Sequence, residues 1–173
     1  MNSGKIPQDS NNYWEQLERM EKLIRAAEVK AGVIFSFHSL ILGLFVDRMD
    51  YLQSIFAQST AFFVLAGIWM IFVVLSIYYC FKCFKPQIET KYDTNVFFFQ
   101  DAVRSFDSVE DYTETLMEIC EDNDKLCEQL SHQIHVESKI IDEKFKAVHN
   151  SIKYFGLSFV FILMLIGLWI IRL

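Results

Sequence analysis

The stretch KLCEQLSHQIHVESKIIDEKFKAVHNSIKYFGLSFVFILMLIGLWII, from Lys125 to Ile171, decides the fold. It closes with an uncharged apolar run, Tyr154 to Ile171, and holds no proline and no glycine before Gly156. About 20 helical residues cross about 30 Å of hydrocarbon, so the run reads as a membrane span. Upstream, Leu126, Leu130, Ile134, Ile141, Phe145, Val148 and Ile152 recur at helical spacing. With no breaker between the two parts, one helix is predicted from Lys125 into the span, about 70 Å long at 1.5 Å per residue.

Two further apolar stretches precede it, Ala31 to Val46 and Ser54 to Phe81. The first is short and contains His38, and it reaches spanning length by extending through Asp47–Asp50 or by thinning the bilayer. Trp14, Leu17, Met20, Ile24, Ala27 and Ala31 continue its pattern upstream, so an amphipathic helix runs into this span. Pro86 is predicted to end the second helix. Ser108, three before Asp111, marks a helix start, with the helix running to about Cys120, and Glu121–Asp124 reads as a turn. The fold class that follows is an all-α membrane protein. It has three transmembrane helices, a helical cytosolic bundle and a long last helix entering the third span. The parts are 1–30, an N-terminal amphipathic helix; 31–81, a hairpin with spans 31–50 and 55–81; 82–153, a helical sensing and oligomerisation region; and 154–173, the third span.

Basic residues orient the chain. Arg19, Lys22, Arg25 and Lys30 precede the first span, Lys82, Lys85 and Lys91 follow the second, and Lys144, Lys146 and Lys153 precede the third. The N-terminus and 82–153 are therefore predicted to be cytosolic, with the C-terminus on the far side. The first thirty residues are polar and helix-like, so no cleaved signal peptide is expected and the first span acts as an anchor. Cys80, Cys83, Cys120 and Cys127 are expected to stay reduced thiols if their side is cytosolic, and their spacing is not that of a zinc ribbon.

Composition narrows the function. The chain has 173 residues and a net charge of −6, which disfavours a nucleic-acid surface. The sequence has no Gly-x-Ser-x-Gly, His-Glu-x-x-His, P-loop or Gly-x-Gly-x-x-Gly, and an enzyme is not expected. His132 and His135 are spaced for a metal, but such a pair more often faces solvent, and no metal is expected. His38 lies inside a span, where the plainer expectation is a neutral imidazole hydrogen-bonded to a neighbouring helix and a pore or gating role is the sharper alternative. So small a helical core is expected to self-associate, giving a homo-oligomer in the lipid bilayer.

The run Leu130-Ser-His-Gln-Ile-His-Val-Glu-Ser-Lys-Ile140, followed by Lys144-Phe145 and a last span, resembles the membrane effectors of Pycsar. Those proteins carry a pattern similar to L-x-x-Q-I-x-x-x-S-x-I-x-x-x-K-F. Ala26-Ala27-Glu28-Val29-Lys30-Ala31 resembles their Asp-x-Lys-Ala run, with Glu28 in the acidic place, and Phe98 to Asp101 resembles their F-F-x-D piece. The resemblance covers about residues 15 to 171. It implies an antiphage effector of the bacterial inner membrane, with a periplasmic C-terminus, that senses cUMP or cCMP from a partner cyclase and then permeabilises or depolarises the membrane. Lys30, Asp101, Gln133, His135, Ser138, Lys139 and Lys144 are the matching positions, and so the candidate ligand-binding residues. No resident cofactor is implied. Two rivals stay open: a membrane-anchored adaptor of a cytosolic defence enzyme, docking through the acidic helices, and a small oligomeric ion channel without nucleotide control.

Overall fold

The computed structural model describes residues 9–50, 53, 59–86 and 94–172, the last by its main chain alone. Five helices account for most of them: α1, Ser10–Asp47; α2, Thr60–Phe84; α3, Phe99–Arg104; α4, Val109–Glu121; and α5, Asn123–Arg172. α1, α2 and α5 are each long and apolar enough to cross a membrane. The chain is an all-α membrane protein.

Local chemistry sets the helix ends. Ser59 caps α2 by accepting the Phe62 N–H at 3.3 Å. The second helix therefore starts at Thr60, although the apolar run begins at Ser54; residues 54–58 lie outside the described residues. α2 ends at Phe84 because Lys85, next to Pro86, takes φ −57 and ψ 126, the extended conformation a following proline demands. Ser108 accepts the Asp111 N–H at 3.1 Å and starts α4 as its spacing predicts. The predicted turn at Glu121–Asp124 narrows to one residue. Asp122 leaves the helical region and its Oδ1 accepts from both Asp124 N (3.0 Å) and Lys125 N (3.3 Å), so α5 begins at Asn123. α5 then runs 50 residues, about 75 Å, through the predicted third span.

The chain divides into two units. The first comprises residues up to Ile24 together with Gln87–Asp142. Here Trp14 meets Phe97 edge-to-face at 5.4 Å, and Tyr112 donates to the Val96 carbonyl at 3.3 Å. Cys127, Leu130, Gln133, Val136 and Ile140 are its buried positions on α5. Of the predicted stripe Leu130 is buried, whereas Leu126, Ile134 and Ile141 are only half-buried, because steps of three, three, three and four through a cysteine and a glutamine set the inner face.

The second unit comprises Arg25–Pro86 and Glu143–Leu173. On α2 the buried residues are Phe62, Ala66, Trp69, Val73, Ser76, Cys80 and Cys83, alternating steps of four and three. On α1 they are Ala27, Ala31, Ile34 and His38, and on α5 Lys144, Ala147, Val148, Ser151, Ser158 and Leu165. A 3.5-residue period keeps one seam of each helix turned to its neighbours. Phe145 and Ile152, expected on the inner stripe, are exposed, as are about half of the span residues. The core has two parts. One joins Ala27, Ala31 and Ile34 to Cys80, Cys83, Ala147 and Val148. The other joins Phe62, Ala66, Trp69 and Val73 to Leu165, with Ile41, Leu42 and Phe45 packed on it.

Candidate functional site

In the first unit the sequence-derived candidates are Asp101, Gln133, His135, Ser138 and Lys139. Asp101 lies in the first turn of α3, and its Oδ2 accepts the Asn95 N–H at 2.9 Å. Asn95, itself buried, donates from Nδ2 to the Gln129 carbonyl at 2.7 Å and accepts the Phe97 N–H at 2.9 Å. These bonds tie the turn before α3 to α5. Two amide oxygens beside the knot, Gln100 Oε1 and Gln129 Oε1, are buried without a hydrogen-bond partner. Neither glutamine stood out in the sequence. Asn95 ties the turn to Gln129, and a contact between residues 34 positions apart leaves no periodic trace.

One turn further along α5, Gln133 is buried and donates from Nε2 to Glu137 Oε1 at 2.9 Å. Burial pushes the Glu137 carboxyl above its ordinary value; the Gln133 amide opposes the shift and the neighbouring Glu21 adds to it. Ser138 donates to its own helix at the Ile134 carbonyl (2.7 Å) and lies 3.9 Å from Met20 Sδ. His135 and Lys139 are exposed and both have partners. Gln133 points inward while Lys139, six residues on, points out, so one molecule cannot be held by these two alone. Among the described residues no three His, Cys, Asp or Glu side chains are grouped to hold a metal ion.

Lys30 and Lys144 belong to the second unit. Lys30 is exposed, its Nζ 5.8 Å from the centre of the Phe145 ring. Lys144 is 4% exposed. Its Nζ donates to Glu28 Oε1 at 2.8 Å and to the Cys83 carbonyl at 2.6 Å, so one ammonium joins α1, α2 and α5. Glu28, from the run that resembles Asp-x-Lys-Ala, and Lys144, from the separate Lys-Phe motif, thus form one ion pair.

Below it lies a second polar layer that sequence reasoning missed. Ser76 Oγ donates to the Ser151 carbonyl at 2.9 Å, and Ser151 Oγ to the Ser76 carbonyl at 3.2 Å. Cys80 Sγ is 3.0 Å from Ser151 Oγ. His38 is 1% exposed, packs edge-on to Phe155 at 5.1 Å, and has no hydrogen-bond partner on either ring nitrogen. One signal was available: Lys144, Ser151 and Ser158 stand seven apart on α5, a heptad of polar residues at one register.

A search of curated proteins and one of solved structures return no match. A family model does match, described as the Pycsar effector protein domain, over residues 12–171. That span takes in the polar knot, the Glu28–Lys144 pair and all three span-length helices. The chain belongs to the Pycsar effector protein domain family.

Proposed function

We propose that this protein is an antiphage effector of the bacterial inner membrane. In this reading it takes cUMP or cCMP from a partner cyclase as its signal and permeabilises or depolarises the membrane, with no catalytic step of its own. The observation that carries it is the family match across residues 12–171 of a chain with three span-length helices. The ligand-contacting part is the knot of the first unit, where Gln100 Oε1 and Gln129 Oε1 keep unused acceptor capacity next to Asp101 and Gln133. Base N–H groups are the donors such oxygens take. Lys144 acts in this scheme through the ion pair with Glu28, and Lys30, His135 and Lys139 lie on exposed faces where a second copy or a phosphate is reachable. His38 takes the pore or gating role.

The test is ion and dye leakage from liposomes holding the purified protein, titrated with cUMP, cCMP and purine cyclic nucleotides. Leakage following one pyrimidine nucleotide, and weakened by Gln100→Leu, is the expected result. Silence with every nucleotide sinks the ligand part.

One observation favours a second reading, the adaptor. α4 turns Val109 and Met117 outward, 75% and 59% exposed, with Glu110, Glu114 and Glu118 beside them, a surface suited to a docked protein. A stoichiometric enzyme co-purifying with the chain, lost with Met117→Glu, would favour it over the effector.

A further inference from the structure

We propose that the second unit holds an occluded proton path within a single chain: a polar half leading from the Glu28–Lys144 pair to His38, shut by an apolar plug built on Trp69. The proposal rests on the reading of the chain as a membrane-depolarising effector and names what crosses.

The inner seams of α1, α2 and α5 are not uniformly apolar. From one end they meet as Glu28, Lys144 and the Cys83 carbonyl, then as Ser76, Cys80 and Ser151. Lys144, Ser151 and Ser158 follow one another on α5 at about 10 Å intervals. His38 lies midway along the apolar stretch of α1, against Phe155. Beyond it, apart from the buried Ser158 on α5, the seam turns apolar. Phe45 meets Trp69 at 5.0 Å, and Phe62, Val73 and Leu165 complete the cluster.

Packing accounts for the serines, since small residues let spans approach closely. It does not account for His38. An imidazole 1% exposed with both nitrogens unbonded bears its whole desolvation penalty, and an apolar residue of similar size would fill the same space. A neutral imidazole has one N–H and one lone pair. It can take a proton from water on its lone-pair nitrogen and give the other nitrogen's proton to water on the opposite side. The ring is left neutral as the other tautomer, and rotation of the ring resets it. Among the described residues, the charged and titratable groups on this seam besides His38 are Glu28 on α1, Cys80 and Cys83 on α2, and Lys144 on α5. Wetting of the Trp69 plug would then join the two sides, as hydrophobic constrictions gate by dewetting.

The experiment uses the full chain in phosphatidylethanolamine–phosphatidylglycerol liposomes, with pyranine inside to read pH, valinomycin for charge balance, and carboxyfluorescein in a parallel batch. Trp69→Ala, without any nucleotide, should raise proton permeability about tenfold over wild type while carboxyfluorescein stays inside. Adding His38→Gln, which keeps a polar side chain but cannot relay, should lower that flux about tenfold. Circular dichroism and melting check that Trp69→Ala is folded, and Leu165→Ala replaces it if it is not. Proton flux untouched by His38→Gln overturns the proposal, as does escape of dye together with protons, or a folded plug variant that stays tight. If the plug variant conducts through His38 while wild type ignores cUMP and cCMP, the nucleotide reading fails and the proton path stands.

Discussion

Lys144 joins three helices through one ammonium. Removing it leaves Glu28 and the Cys83 carbonyl without their donor at a buried junction of three helices. Breaking a wholly buried pair costs about 3–5 kcal/mol; with the Glu28 side chain 41% exposed, we expect about 2–3 kcal/mol for Lys144→Ala. A fall in melting temperature in detergent, larger than that of the exposed Lys139→Ala, checks it. Glu137 gives a pH-dependent counterpart. Its carboxyl is raised above the ordinary 4.5 by burial, so the folded chain holds this proton more tightly than the unfolded one. The stability linked to that proton is present below 4.5 and is lost as pH rises through the raised value. Glu137→Gln, which keeps a partner for Gln133, should therefore melt higher than wild type at neutral pH and no higher in acid. A melting series over pH reads this directly. Within the serine layer the expectation is modest: Ser76→Ala should cost about 0.6 kcal/mol, the average for hydrogen bonds between membrane helices.

At the scale of single helices, the ends are held by few atoms. Asp122 alone accepts two N–H groups of the first turn of α5, so Asp122→Ala should cost about 1 kcal/mol and speed amide exchange at Asp124 and Lys125. Hydrogen exchange with mass spectrometry locates the effect, and protection lost near Ser151 instead would contradict it. Most of this level was legible in the sequence. The three span-length helices, the Ser108 start, the stop before Pro86 and the uninterrupted last helix follow from local signals that act within one turn. The inner face of α5 was legible only in part. Apolar counting picked the buried Leu130 and Val148 but also Ile134, Phe145 and Ile152, and it passed over the buried Gln133, Lys144 and Ser151. Buried polar groups are kept there because they are paired, Gln133 with Glu137, Lys144 with Glu28 and the Cys83 carbonyl, and Ser151 with Ser76, and hydropathy does not report such pairing. The knot at Asn95 was hidden for a different reason: α3 is only six residues long, too short for any periodicity.

For the whole molecule, the spans leave most of their surface outward. Of the apolar windows in α1, α2 and α5, 17%, 28% and 11% of residues are buried. Lipid or further copies of the chain cover the remainder, and the small core favours copies; light scattering in mild detergent should give a mass of more than one 20.3 kDa chain. The charge of the segment 94–142 bears on the signal too. It carries twelve Asp and Glu against Arg104, Lys125 and Lys139, so the anionic nucleotide of the proposed function would approach a repelling surface. Added salt screens that repulsion over about 10 Å at 0.1 M, and the nucleotide concentration for half-maximal leakage should fall, not rise, with ionic strength. The thiols offer a last consequence. Cys80, Cys83 and Cys127 are buried and Cys120 is exposed. The native chain thus comes with one built-in address for a membrane-impermeant maleimide. Added to intact spheroplasts or to inverted vesicles, the reagent reports on which face of the membrane α4 lives, with no residue changed.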